Sequence, residues 1–335
     1  MNSTPPAHTP GRVPVSVRRR LALIAVGLFA PIVLIWFAAA TIVARGLQFP
    51  PALAYSTSGA AAPVRPAPPD SRPLRALIDA PSDEVTVRAA PAHPLRALLA
   101  PIGPAGSAVI LTYPNCVDEQ TLVGYFKVIR SAGYAALIID YAGSAMREGR
   151  GAVRRYGFGW QERRDVLDAA AALRSRGVRT IAVLGVSEGA AAALFAGADR
   201  APPDAIIADS SYARLAPMLR RMPPLDSLNP LFGRTVLWEV GLMQGGAIDD
   251  IAPARAAAKL DGCPLMVING ADDPLVPPAD AQTIFAAARG PRELWIAPGA
   301  GHAAALAADP VQYSRRVGAF LRRYLGVPGR AAGAD

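Results

Sequence analysis

Ile181-Ala182-Val183-Leu184-Gly185-Val186-Ser187-Glu188-Gly189-Ala190-Ala191-Ala192 is the stretch on which the reading of this chain turns. Ile181 to Leu184 have the length and apolar character of a strand buried on both faces. Behind Gly189 a run of alanines, a leucine and a phenylalanine reads as a helix. A Gly-x-Ser-x-Gly between strand and helix is the pattern of a nucleophile elbow, a sharp turn that projects the serine Oγ past the end of the strand. Residues two before and two after the serine collide in such a turn unless they are tiny. Here they are Gly185 and Gly189, and Ala190 and Ala191 let the new helix lie close to the sheet.

A serine hydroxyl is a poor nucleophile near neutral pH, so Ser187 needs a histidine base and a carboxylate to orient it. The chain has three histidines. His8 lies in a polar N-terminal tail and His93 precedes the first core strand. His302 follows the apolar strand Glu293–Ala297 in the loop Pro298-Gly299-Ala300-Gly301, which makes it the expected base. The acid is expected after the strand Leu265–Asn269, in Gly270-Ala271-Asp272-Asp273-Pro274-Leu275-Val276-Pro277.

The order serine, acid, histidine is that of the α/β-hydrolases. Over roughly residues 84 to 325 the chain resembles that superfamily, nearest to its serine esterase and serine aminopeptidase-like branch. The family's acid loop, Gly-x-x-Asp-x-x-Val-Pro, implies Asp273 as the acid, with Asp272 the alternative one register away. The resemblance also implies an oxyanion hole built from the backbone N–H groups of Asn115 and Glu188. Tyr113-Pro114-Asn115 stands where the family usually has His-Gly-x, and Pro114 fixes φ and carries no N–H. Asp140-Tyr141-Ala142-Gly143-Ser144 resembles a loop that is architectural in the family, so Asp140 is expected to be structural. Glu188 is expected as a carboxylate favoured by the helix dipole, with the rejection of anionic substrates as a sharper role.

The remaining pattern is that of parallel βαβ units. Strands are expected at Glu84–Ala89, Leu95–Leu99, Ala108–Thr112, Ala135–Ile139 and Ala205–Ala208. Helices are expected from about Asp118, as N-cap, to Ser131, at Trp160–Arg176 and at Pro310–Leu325. The expected fold class is α/β: a doubly wound, mostly parallel sheet at 83–326, with a small helical cap at about 210–260. Met218, Met222, Leu231, Phe232, Leu237, Trp238, Leu242 and Met243 fall in that cap; in this fold such insertions line the acyl or leaving-group pocket, while packing of the cap helices on the core is the first reading for each single residue.

The N-terminus has a different character. After a basic tail, 1–20, ending in Arg18-Arg19-Arg20, no charge occurs among the 24 residues Leu21 to Ala44. As a helix these extend about 36 Å, enough for a bilayer core of about 30 Å, and Pro31 does not forbid the span. The basic cluster places the tail in the cytoplasm and the rest outside. A cleaved signal peptide, using small residues near Ala38–Ala44, is the competing reading and also exports the domain. Residues 45–82, rich in proline and alanine, suit an extended spacer, and 327–335 form a C-terminal tail.

The formal charge of +9 is carried mainly by arginine, but no basic stripe interleaved with aromatics points to nucleic acid. Cys116 and Cys263 fall at opposite ends of parallel strands, about 17–20 Å apart, so both thiols are expected unpaired. No metal constellation or cofactor motif is present. The expectation is a membrane-anchored serine hydrolase acting on a small-molecule or lipid-like acyl substrate. Acyl transfer and a catalytically silent binding scaffold are the alternatives. Nothing in the sequence sets the oligomeric state.

Overall fold

A computed structural model describes residues 15–48, 82–87, 95–103, 106–114, 119–141 and 156–328. Its centre is an eight-stranded sheet: β1 (Asp83–Val87), β2 (Leu95–Leu99), β3 (Ser107–Thr112), β4 (Ala135–Ile139), β5 (Thr180–Val186), β6 (Ala205–Asp209), β7 (Leu265–Gly270) and β8 (Arg292–Ala297). The spatial order is β1-β2-β4-β3-β5-β6-β7-β8. β1 and β2 pair antiparallel, as do β2 and β4, and every pair from β4 to β8 is parallel. The chain winds outward from β3 to β4 on one side and from β5 to β8 on the other, so the switch point of this doubly wound sheet lies between β3 and β5. The central strands are buried throughout because helices cover both faces, which explains their unbroken apolar runs.

The described helices are α1 (Val15–Gln48), α2 (Val123–Ser131), α3 (Arg163–Ser175), α4 (Glu188–Gly197), α5 (Leu215–Leu219), α6 (Pro230–Met243), α7 (Pro253–Ala257), α8 (Pro278–Ala287), α9 (Ala305–Ala308) and α10 (Pro310–Leu325). Strand expectations agree to within two residues, and α10 agrees at both ends. α10 shows why its pattern was legible: Tyr313, Val317, Phe320 and Leu321 are buried on one face, while Asp309 Oδ1 caps the helix by accepting Gln312 N–H at 2.9 Å.

The structure differs from expectation in three places. The helix expected at Trp160–Arg176 begins at Arg163. Phe158 and Gly159 both take positive φ, and the Glu162 carboxylate turns back to accept the N–H groups of Gly157 at 2.9 Å and Gly159 at 2.8 Å. The Trp160–Glu162 segment therefore closes a turn instead of starting the helix. Near residue 118, a 3₁₀ turn at Glu119–Leu122 leads into α2, and Asp118 itself lies outside the described residues, as does most of the 45–82 spacer.

The third difference is α1. It runs through Pro31 without a break and extends past the uncharged stretch to Gln48. Its final turns are docked on the cap: Ala40, Ala44, Leu47 and Gln48 are buried, and Tyr156 N–H donates to Gln48 O at 3.0 Å. α1 is thus in direct contact with the domain. The cap is made of α5, α6, a 3₁₀ turn at Ile248–Asp250 and α7. Met218 and Leu237 are core residues, whereas Phe232 and Trp238 pack against Trp36 and Phe37 of α1. Those two aromatics are thus engaged by the N-terminal helix.

Candidate active site

β5 delivers Ser187 to the C-terminal edge of the sheet. Its backbone sits at φ 54°, ψ −111°, a strained conformation for a residue with a side chain. The strain is held from both sides. Ser187 N–H donates to Asp209 O of β6 at 2.8 Å, while Ser187 O accepts Ala190 N–H at 3.0 Å as α4 begins. The flanking glycines are sterically required. A Cβ on Gly185 would stand 2.2 Å from Gly189 O, and one on Gly189 would stand 2.5 Å from Thr112 O of β3. Thr112 Oγ1 also donates to Gly189 O at 3.2 Å, locking α4 to β3.

The three residues expected to act together are brought together. His302 Nε2 lies 2.9 Å from Ser187 Oγ, and His302 Nδ1 lies 2.7 Å from Asp273 Oδ2. The carboxylate selects the tautomer: Nδ1–H donates to Asp273, leaving Nε2 to accept the serine O–H. Asp273 is buried, and its second oxygen accepts Leu275 N–H at 3.0 Å and Val276 N–H at 2.8 Å. Those bonds orient the carboxylate towards the imidazole. Asp272 is exposed, and its N–H donates to Ala300 O at 2.9 Å, which ties the acid loop to the histidine loop. The imidazole retains 18% side-chain exposure, open enough to exchange protons with a substrate.

The oxyanion donors stand differently. Glu188 N–H occupies the first position of α4, where helix geometry offers no intrahelical acceptor. The Glu188 side chain is buried, and its Oε1 faces Gly159 N–H at 3.3 Å. The protein's own turn engages this carboxylate, so it does not confront a substrate as the sharper role required. Asn115 and Cys116 lie outside the described residues. The exit from β3 is nevertheless anchored just before them. Tyr113 O–H donates to Asp140 Oδ1 at 2.9 Å, and Tyr141 O–H donates to Tyr113 O at 3.2 Å. Asp140 has the structural role expected of it.

Other residues around the site carry no sequence signature. Ser210, at φ 58°, donates to Asp209 Oδ1 at 2.9 Å and accepts Ala303 N–H at 3.1 Å, immediately after His302. Tyr313 O–H donates to the other Asp209 oxygen at 3.0 Å. Burial pushes the Asp209 carboxyl up to about 6, against the pull of its hydroxyl donors and of His302. Arg221 of the cap pairs with Asp280 at 2.7 Å and donates to Leu275 O of the acid loop at 3.1 Å. Among the described residues no His/Cys/Asp/Glu group is arranged to hold a metal. Cys263 is free, and burial raises its thiol to about 12, which makes it unreactive.

A nucleophile, a base and an orienting acid in line, beside a helix N-terminus, can carry out acyl transfer through a covalent intermediate. Comparison with solved structures gives the same fold. An esterase of Pyrococcus furiosus matches with 20% identity and a TM-score of 0.59, covering 74% of this chain and 95% of its own. The esterase domain of a Rhodothermus marinus protein matches with 20% identity and a TM-score of 0.53, covering 73% and 100%. A hydrolase from Pseudomonas aeruginosa matches with 17% identity and a TM-score of 0.51, covering 71% and 98%. No curated protein matches significantly in sequence. The model of the prolyl oligopeptidase family matches residues 122–328. That match takes in more than half of the chain, from the helix after β3 through the elbow to the histidine loop, and the chain belongs to the prolyl oligopeptidase family as a serine hydrolase of the α/β-hydrolase type.

Proposed function

We propose that the protein hydrolyses an acyl ester or thioester, with Ser187 as nucleophile, His302 as general base and acid, and Asp273 as the group that orients the imidazole. The observation that carries this reading is the continuous hydrogen-bond line from Ser187 Oγ through His302 to buried Asp273. Ser187 Oγ attacks the acyl carbonyl carbon as His302 Nε2 takes its proton. The tetrahedral oxyanion is stabilised by Glu188 N–H and by the donor assigned to Asn115. The imidazolium then protonates the leaving alcohol or thiol, giving an acyl-serine. Water, deprotonated by His302, attacks in turn and releases the carboxylic acid. The esterases among the structural neighbours favour this substrate class. Amide cleavage is a second reading, favoured by the family match.

The N-terminal helix is proposed as a retained single-pass anchor, with the hydrolase domain outside the cytoplasm. Its apolar composition and length support the span. Retention is supported by the burial of Ala40, Ala44 and Leu47 against the domain, since cleavage near Ala38–Ala44 would strip away that packing.

The test is labelling of the detergent-solubilised full-length protein with a fluorophosphonate, beside Ser187→Ala and His302→Ala. Labelling lost in both variants is expected. A folded wild type that remains unlabelled would overturn the hydrolase mechanism in favour of a silent scaffold. After labelling is established, product analysis with and without an added alcohol separates hydrolysis from acyl transfer.

A further inference from the structure

α1 and the cap helix α6 lie side by side and run in the same direction. At one end Trp36 stacks edge-on against Phe232 with centroids 4.9 Å apart, and its Nε1–H donates to Thr235 Oγ1 at 3.1 Å. Phe37 meets Trp238 at 6.2 Å. At the other end the backbone of Tyr156 is held twice: its N–H donates to Gln48 O at 3.0 Å, and its carbonyl accepts Gln244 Nε2–H at 2.9 Å. The two helices are thus joined at both ends, and in this arrangement the depth of α1 in a bilayer sets the depth of α6.

Helix arithmetic fixes that depth. A hydrocarbon core of about 30 Å takes up about 20 helical residues. Counted from Leu21, the first residue after the arginine cluster, they end at Ala40, beyond Trp36 and Phe37. Moving the span to its later apolar window, Phe29–Gln48, sinks α6 further. The first placement leaves the first half of α6 just inside the outer boundary, whereas the later one would carry all of α6, Arg234 included, into the hydrocarbon, so the first is the one its charge allows.

The surface of α6 suits that position. Leu231 is 65% exposed, Trp238 55% and Leu242 55%, and on α1 Ile42 is 72% exposed. These large apolar side chains continue the exposed apolar surface of α1 onto the catalytic domain, and tryptophan is the residue favoured at the membrane boundary. Arg234, exposed on the same helix, is placed to meet headgroup phosphates. A cavity of about 980 Å³ opens along this helix. It is lined by Trp238 and Leu242 along with Leu237 and Arg234, and none of Ser187, His302 or Asp273 lines it. Asp226 and Asp249 also line it, the latter paired with Arg214 at 3.4 Å.

We propose that α6 is a second membrane-contacting element, seated with its Leu231, Trp238 and Leu242 face in the outer leaflet of the bilayer that α1 crosses. This rests on the reading of α1 as a retained anchor. It makes the cap the membrane-facing side of the hydrolase and favours amphiphilic acyl substrates drawn from the leaflet.

The test uses the full-length protein with Cys116 and Cys263 replaced by serine. It is reconstituted in phosphatidylcholine vesicles containing phosphatidylglycerol and nitroxide-labelled lipid. A fluorophore is attached in turn at Ile32→Cys, Leu231→Cys, Leu242→Cys and, as exposed control, Arg289→Cys. Loss of emission at 231 and 242 approaching that at 32, with none at 289, is expected. Quenching at 32 without quenching at 231 and 242 overturns the seating of α6 while leaving the anchor intact. No quenching at 32 overturns both. Shielding of 231 and 242 from lipid and aqueous quenchers alike would put a second protein surface on the face and overturn the proposal. Quenching of intrinsic fluorescence by brominated lipid, compared between wild type and Trp238→Phe, gives a second readout that does not depend on the cysteine variants folding.

Discussion

The hydroxyl of Ser210 accepts the backbone N–H of Ala303 at 3.1 Å, so the turn leaving β6 grips the residue directly after His302. Both residues have positive φ, 58° for Ser210 and 54° for Ala303. Two strained turns thus meet in one hydrogen bond, and the imidazole is positioned from behind. Ser210→Ala leaves a partly buried N–H without this acceptor, at a cost of about 1–3 kcal/mol. The expected result is a lower kcat with little change in KM, measured beside urea unfolding. Unchanged kcat would show that the histidine loop holds itself.

Asp209, which receives the Ser210 and Tyr313 hydroxyls, yields a pH prediction. Its folded-state carboxyl titrates at about 6 against an ordinary 3.8. A raised carboxyl means that the folded state holds its proton longer, so this group's contribution is present below pH 3.8 and is lost as pH rises through about 6. The loss is on the order of 3 kcal/mol. Asp209→Asn should remove that part of the pH dependence. Unfolding curves of both proteins between pH 3.5 and 7 should diverge in the variant's favour as pH rises, and parallel curves would contradict the assignment.

Two neighbouring carboxylates separate cleanly. Asp273→Asn keeps the shape of the acid loop but offers His302 the wrong partner, and a loss of about 10⁴-fold in kcat is expected by analogy with the triad aspartate of serine proteases. Asp272→Asn, at an exposed carboxylate, should stay within a factor of a few. Steady-state rates on an activated ester decide between them.

Gly189→Ala brings a Cβ to 2.5 Å from Thr112 O, which is backbone and cannot swing aside. Overpacking of this kind costs about 1–3 kcal/mol. The thermal midpoint should fall together with the rate of fluorophosphonate labelling, because the helix that carries Glu188 N–H must shift.

Arg221→Met should loosen the cap from the acid loop. It removes the ion pair with Asp280 and the hydrogen bond to Leu275 O, and charge-assisted bonds of this kind are worth about 1.5–3 kcal/mol when partly buried. A lowered unfolding midpoint and a raised KM are expected, and an unchanged KM would detach the cap from substrate binding.

Much of this architecture is written in short-range pattern. β4 and α10 end where the apolar periodicity ends, because a buried strand and a one-sided helix each impose their own spacing on the residues that fill them. The elbow is legible for a related reason. Only glycine fits at 185 and 189 when a strand turns into a helix this tightly, so the turn leaves its mark in composition. The start of α3 was not legible. Glu162 is a good helix former, and only the fold reveals that its carboxylate is taken by the N–H groups of Gly157 and Gly159.

Read by itself, the sequence points to Ser187 as candidate nucleophile, to His302 as candidate base, to an acid loop between them and to the alternation of strand and helix. The first two rest on local sterics and on the scarcity of histidine, the place of the acid on the resemblance to the α/β-hydrolases, and the alternation on apolar period. Tertiary structure brings Asp273, already implied by the acid-loop pattern, to the imidazole, and it alone decided that Ser210 braces the histidine loop and that the Glu188 carboxylate turns inward. It also decided that the N-terminal helix lies on the cap, through a bond from Trp36 to Thr235 across 199 residues of chain. The physical reason is common to all four. Each depends on which surfaces meet when distant segments pack, and a contact made across such distances leaves no period in the sequence.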